Sequence, residues 1–294
     1  MKKYLLKAAK VLAIILLGLT VIILIGYGLI SFKISNRIDK TYAFDAPEIH
    51  LDTTKSTIQR GKHLADIKGC FDCHGGDLSG KAFLNEPGIG SIYASNITYG
   101  KGGLSKDYNV QDWAKALRHG INKQGKSLWL MPSQEIATLS KTDLQAIISF
   151  CMIQPEKDHV LPENNIGPMM KVLAGLKKVP LLTAELINHQ QAIPDTISRK
   201  EGLALGKYLS VSCTGCHKSN LKGGAADIPG MPAIPDITQS GNLKHWKFKD
   251  FQQVLQSGIK PDGKKINPRE MPWTMTAKYT DIELKSLFQY LKSL

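Results

Sequence analysis

Two five-residue stretches constrain this chain more than anything else in it: Cys70-Phe71-Asp72-Cys73-His74 and Cys213-Thr214-Gly215-Cys216-His217. In each, two thiols stand three residues apart and an imidazole follows the second. One turn of chain at that spacing lets both sulfurs bond the two vinyl groups of a haem while the histidine reaches the iron from the same side. C-x-x-C-H is the sequence signal of c-type haem attachment. A single such pentapeptide is compatible with chance or with a redox cysteine pair; two in matching surroundings favour haem.

The surroundings do match. Gly61-Lys62-His63-Leu64 before the first stretch echoes Gly206-Lys207-Tyr208-Leu209 before the second, and Asp77-Leu78-Ser79-Gly80 after it echoes Asn220-Leu221-Lys222-Gly223. Asn96-Ile97-Thr98 returns as Asp236-Ile237-Thr238, Asp112-Trp113 as Asp250-Phe251, Gly120-Ile121 as Gly258-Ile259, and Met131-Pro132 as Met271-Pro272. The offsets stay at about 140 residues. Repeat arrays have periods of about 20–50 residues, so the pattern reads as tandem duplication of one domain.

Each repeat closes on the same apolar stripe. Leu144, Ile147, Ile148 and Cys151, then Leu284, Leu287, Phe288 and Leu291, fall at i, i+3, i+4 and i+7 and line one helix face. Ser140 and Thr280 stand as N-caps, with Asp143 and Glu283 in capping-box position; Glu283 fits the box better. The pattern predicts two more helices per repeat. One pair covers 110–119 and 248–256 and stops at Gly120 and Gly258, a usual C-terminal residue. The other precedes the cysteine stretches at about 57–68 and 199–210. The intervening chain is rich in Gly and Pro, so the expected fold class is all-α, with loops and little sheet.

Residues 11–32 carry no charge over 22 positions, about 33 Å of helix, enough to cross a bilayer. No small-residue cleavage site precedes Lys33, so an uncleaved signal anchor is read in preference to a signal peptide. Lys2, Lys3, Lys7 and Lys10 precede the run; Lys33, Arg37, Asp39 and Lys40 follow it. The positive-inside rule then puts the N-terminus in the cytoplasm and the remainder on the periplasmic side of the cytoplasmic membrane. Tyr27 and Tyr42 are candidates for its outer interface. The expected division is anchor and tether at 1–44, first domain at 45–155, linker at 156–195 and second domain at 196–294. The tether is polar and unperiodic from residue 33. The linker is too apolar to run free and is expected as short helices packed on the domains, a mobile hinge being the alternative.

The net charge of +13 is uneven, with +6 over residues 1–44 and +7 over 196–294. No basic stripe with interleaved aromatics is present, so no nucleic-acid partner is expected. The basic C-terminal repeat either steers an acidic partner or is a solvated face. Of five cysteines, four lie in the two stretches, leaving no disulfide framework. Cys151 sits on the buried stripe and reads as a small hydrophobe.

A haem iron has two axial positions. His74 and His217 take one each, and the other decides between electron transfer and ligand chemistry. Met131 and Met271 are the distal candidates, since both stand in a Met-Pro loop before the last helix of their repeat. The rivals are Met231 and Met275 in the second repeat and His119 in the first. His119 has Ser257 at its repeat position and reads as a helix C-terminal histidine favoured by the dipole.

Each repeat resembles a class I c-type cytochrome: helix, C-x-x-C-H, loops, Met-Pro, final helix. More narrowly, Ala94-Ser95-Asn96-Ile97-Thr98, Ala116-Leu117-Arg118-His119-Gly120-Ile121, Gly125-Lys126-Ser127-Leu128 and Met131-Pro132 are similar to membrane-bound dihaem cytochromes c. These include the cytochrome subunits of membrane alcohol, aldehyde and gluconate dehydrogenases. Such subunits usually carry three haems, whereas this sequence has two C-x-x-C-H motifs. The resemblance implies a close crossing of Gly61 with Phe150 and of Gly206 with Tyr290. It also implies that Asn96, Thr98 and Arg118 line the haem propionates; Gln256 replaces the arginine in the second repeat. It implies two covalent haem c groups held by Cys70, Cys73, His74, Cys213, Cys216 and His217. The expected role is electron carrier, not enzyme, between a membrane-bound dehydrogenase or quinol-side donor and a terminal oxidase or soluble cytochrome, with membrane lipid as a further partner. The alternatives are a dihaem peroxidase-like enzyme and a cytochrome subunit confined to a larger dehydrogenase complex.

Overall fold

The computed structural model describes residues 2–226 and 232–294; Met231, one of the rival ligands, lies outside them. Helix α1 (Lys2–Asp39) opens the chain, and its apolar window, of mean hydropathy 2.8, has no buried residue. Then come α2 (Lys55–Ile67), α3 (Cys70–His74), β1 (Lys81–Glu86), β2 (Gly90–Ala94), α4 (Val110–His119), α5 (Ser133–Ile136) and α6 (Lys141–Met152). Strand β3 (Asn165–Ile166) and α7 (Pro168–Gly175) follow, with a 3₁₀ turn at Thr183–Leu186. The C-terminal half is α8 (Leu203–His217), a 3₁₀ turn at Asn242–Lys244, α9 (Phe248–Ser257), α10 (Trp273–Thr276) and α11 (Asp281–Lys292).

Two helix pairs carry the main core, α2 against α6 and α8 against α11. Leu64, Leu144, Ile147 and Ile148 from the first pair and Leu209, Leu284, Leu287 and Leu291 from the second belong to one continuous buried cluster. The pairs close on glycine. A Cβ built on Gly61 meets Ala146 O at 2.0 Å and Phe150 Cβ at 2.6 Å; one built on Gly206 meets Ser286 O at 2.0 Å and Tyr290 Cβ at 2.6 Å. Only a residue without Cβ permits that approach.

Local geometry recurs down the two halves. Gly80 N–H donates to His74 O (2.7 Å) and Gly223 N–H to His217 O (2.9 Å); Ile97 N–H donates to Leu78 O and Ile237 N–H to Leu221 O, both at 3.0 Å. Leu78 and Leu221 adopt φ of 63° and 60°. A left-handed leucine costs about 1–2 kcal/mol, and burying its side chain returns a similar amount; both leucines are buried. Gly120 and Gly258 end α4 and α9 in the left-handed region, as the sequence predicts. Ser140 and Thr280 cap α6 and α11, and only Thr280 with Glu283 forms the reciprocal box.

Two elements depart from expectation. The fold is mostly helical but not all-α: β1, β2 and β3 form an antiparallel sheet in that order. The turn between β1 and β2 uses left-handed Gly88 (φ 77°), β2 buries Ile92, and Asn164 Oδ1 accepts from Tyr93 N–H at 2.7 Å. The corresponding loop of the second half has an isolated bridge, Gly224 with Ile234. The second departure is at residues 33–39, which read as tether in sequence but continue α1. Ile34 is fully buried in a separate cluster with Ile92, Ile166, Met170, Ala174, Leu181 and Leu182. Arg37 pairs with Glu185 there.

Candidate haem sites

Helix α3 presents Cys70, Cys73 and His74; the last turn and a half of α8 presents Cys213, Cys216 and His217. Their entries differ. Gly69, at φ 73°, breaks the first helix before its cysteines, whereas Ser212 keeps α8 unbroken. None of the five cysteines is disulfide-bonded. Burial pushes Cys70 and Cys213 up to about 12 and raises Cys73. A dithiol redox centre needs a lowered thiol pKa, so these pairs are poorly suited to disulfide exchange.

The histidines are oriented alike. His74 Nδ1 lies 2.8 Å from Ser95 O, and His217 Nδ1 lies 2.9 Å from Pro235 O. A carbonyl only accepts, so Nδ1 carries the proton in both rings and Nε2 keeps its lone pair. Burial lowers the pKa of each ring and favours the neutral form. Among the described residues nothing hydrogen-bonds either Nε2. A neutral imidazole whose Nδ1 donates to a carbonyl is the usual arrangement of a metal-binding histidine. Two thiols and one free Nε2 per site fit a covalently attached haem.

Met131 and Met271 occupy similar turns. Ser133 N–H donates to Met131 O at 2.7 Å and Trp273 N–H to Met271 O at 2.8 Å, and both side chains pack half-buried against the main core. Thr183 Oγ1 also donates to Met131 O, at 2.8 Å. Met275 lies elsewhere: its Sδ would be 3.1 Å from a Cβ on Gly69. His119 has both ring nitrogens engaged, Nε2 with Asp45 O and Nδ1 with His189 Nδ1, each at 3.0 Å. It stacks on Phe44, and burial holds its pKa down at about 4. His119 is therefore a neutral packed residue and not a cation at a helix end.

Asn96 and Thr98 form one tight turn. Asn96 Oδ1 accepts from Thr98 N–H (2.9 Å) and Oγ1 (2.8 Å), and Asn96 Nδ2 donates to Lys157 O at 2.7 Å. Asp236 accepts from Thr238 in the same way at 2.7 Å. The buried Arg118 guanidinium donates to the carbonyls of Asn188, His189 and Gln191.

The structure also joins the two cysteine stretches. Lys68 Nζ, two residues before Cys70, donates to Ser212 Oγ, adjacent to Cys213, at 2.7 Å. A Cβ on Gly215 would fall 2.4 Å from Glu135 Oε1. Burial lowers the Lys68 pKa and pushes Glu135 up to about 7. Sequence reading misses this buried cluster because Lys68 and Glu135 look like ordinary surface charges. The one sequence signal is that Glu135 and Met275 share a repeat position; that each abuts the other half's cysteine segment is visible only in the structure.

The cytochrome c family model matches residues 203–294. Similar proteins include the cytochrome c subunit of alcohol dehydrogenase (quinone) from Gluconobacter oxydans (strain 621H), 27% identical over 276 residues, which covers 83% of this chain and 56% of the relative. The gluconate 2-dehydrogenase cytochrome c subunit of Pantoea cypripedii is 34% identical over 229 residues, 68% of this chain and 51% of the relative. The fructose dehydrogenase cytochrome subunit of Gluconobacter japonicus is 24% identical over 261 residues, 81% of this chain and 53% of the relative. The chain spans about half the length of the curated relatives it matches. Residues 203–294 are a cytochrome c domain, which implies covalent haem c, in a chain homologous to the cytochrome subunits of dehydrogenases.

Proposed function

We propose that this chain carries electrons through two covalently bound c haems, each with His/Met axial ligation, on the periplasmic face of the cytoplasmic membrane. The observation that carries the reading is the matched pair of histidines: His74 on Ser95 O and His217 on Pro235 O, each with Nε2 free. Cys70, Cys73, Cys213 and Cys216 supply the thioether sulfurs. Met131 and Met271 close the distal faces, and Asn96, Thr98 and Arg118 attend the propionates of the first site. Once bound, the iron supplies a one-electron couple, which a Met/His ligand pair raises in potential. The residues around it position, bury and tune that couple without acting on a substrate. Residues 45–155 and 196–294 are the two haem-binding domains, and α1 anchors them in the membrane. By analogy with the relatives, a dehydrogenase is the electron donor; a terminal oxidase or soluble cytochrome is the acceptor.

The test is a spectrum of the ferric holoprotein. Two Met-to-iron charge-transfer bands, with a covalent haem count of two, are expected. A high-spin resting iron that rapidly binds cyanide or peroxide would replace this reading with the peroxidase-like one.

A further inference from the structure

Helix α7 is fastened to α1. A Cβ on Gly175 would stand 2.6 Å from Ile30 Cγ2, and Lys171 Nζ donates to Ser31 Oγ at 3.1 Å. Met170 and Ala174, one turn apart, are buried in the cluster that holds Ile34, with Ile30 and Ile38 packed at its edge. Ile30 belongs to the uncharged run 11–32, two residues, or about 3 Å of rise, from its end. A bilayer's hydrocarbon is about 30 Å thick, and the run is about as long. With α1 spanning the membrane, the C-terminal end of α7 therefore lies level with the outer edge of the hydrocarbon.

The rest of α7 is built for that position. Met169 and Leu176 are 54% and 59% exposed. Lys177 and Lys178 follow directly and are exposed, with Lys177 in the left-handed region at φ 57°. On α1 itself Lys33 and Lys40 are exposed at the same foot. Apolar side chains with lysines beside them, held at the level where an apolar span ends, match the chemistry of an anionic lipid interface.

We propose that α7 with residues 176–178 is a second, interfacial membrane contact. Met169 and Leu176 sit among the outer ends of the acyl chains, and Lys177 and Lys178 face anionic headgroups. The inference rests on the reading of α1 as a membrane span. Its effect is to limit the tilt of α1 against the bilayer together with the folded body fastened to it.

The test uses the full-length holoprotein in vesicles of phosphatidylethanolamine and phosphatidylglycerol. Nitroxide labels go on L176C, on I25C within the span and on I282C, an exposed position of α11; the buried native Cys151 is checked by labelling the unsubstituted protein. The oxygen-to-nickel-complex accessibility ratio is expected to be high at 25 and at least about threefold higher at 176 than at 282. Adding K177E/K178E should bring the ratio at 176 down toward that at 282. A high ratio at 25 with equal ratios at 176 and 282 overturns the interfacial contact and leaves the span intact. A low ratio at 25 overturns the span and this inference with it. An unchanged ratio in K177E/K178E overturns the headgroup role of the lysines.

Discussion

Gly61→Ala and Gly206→Ala should destabilise the two helix pairs severely and by the same amount. In each, the added Cβ would lie 2.0 Å from a backbone carbonyl oxygen and 2.6 Å from a β-carbon. Neither neighbour can rotate aside, so the helices must part by about 1 Å or more. A radial gap of about 0.5–1 Å forfeits a quarter to a half of each dispersion contact across it, and Leu64, Leu144, Ile148, Leu209, Leu284 and Leu287 lie at those contacts. Overpacking of this kind costs about 3 kcal/mol at the upper end of its range. Alanine's better helix propensity gives back about 1 kcal/mol. The net loss is then about 2 kcal/mol per site. With a urea m-value near 2 kcal/mol/M, the midpoint followed by far-UV circular dichroism falls by about 1 M. Lys207→Ala, at the exposed neighbour of Gly206, should move it by no more than about 0.25 M. If either glycine variant behaves like Lys207→Ala, the close crossing does not carry the pair and the argument fails.

Replacing Met271 with alanine should lower the potential of one haem in spectroelectrochemical titration and leave the covalent haem count at two; an unmoved potential excludes Met271 as ligand. Cys216→Ala should reduce the stable covalent haem count from two to one by intact mass, and a count still at two would overturn the attachment role. His119 gives a pH dependence. Burial holds it neutral in the fold down to about pH 4, while the unfolded chain takes up the proton near the ordinary histidine value. The stability due to its neutral packing is therefore present above about pH 6.5 and is lost as pH falls toward 4. His119→Gln should flatten that part of the stability profile, and identical slopes would show that His119 does not titrate differently in the two states.

The features legible in sequence were those written locally and twice. The cysteine stretches, the helix ends at Gly120 and Gly258, the caps Ser140 and Thr280, and the Met-Pro turns each need only a few neighbouring residues. The crossing glycines became visible through resemblance. What escaped depends on partners far along the chain. Ile30, Ile34 and Ile38 keep helical spacing through the segment that reads as a tether, but the charges around them hide it, and the residues that bury Ile34 lie at 92 and beyond 165. The sheet escaped because its two longer strands are short, one fully exposed but for Leu84, and the third is only two residues. His63 reads as an unmatched histidine because tyrosine holds its repeat position, and chemistry, not identity, relates the two.

That relation explains how the two halves are held. Asp143 and Glu283 occupy one repeat position, as do His63 and Tyr208. Tyr208 donates to Asp143 Oδ2 at 2.9 Å, and His63 Nε2 meets Glu283 at 2.9 Å, so each half places the same helix position on the other's carboxylate. Such mutual exchange is the signature of a two-fold-related interface. Arg60 lies between them, with Nη2 3.0 Å from Asp143 Oδ2 and Nη1 3.5 Å from Glu283 Oε1. Asp143 is fully buried and Glu283 nearly so. Removing the partner of a charge that stays buried costs about 3–5 kcal/mol, so loss of Arg60 with the halves still packed would be strongly destabilising. Glu283 shows the balance: burial alone would raise its pKa, but the bonds from His63 and Thr280 outweigh it and hold the pKa below the ordinary value. His63 lies on α2, two turns before Cys70, and Tyr208 on α8, less than two turns before Cys213. The carboxylate cluster therefore sets the placement of the two cysteine segments relative to each other, and the Lys68–Ser212 hydrogen bond closes the same interface at its far end.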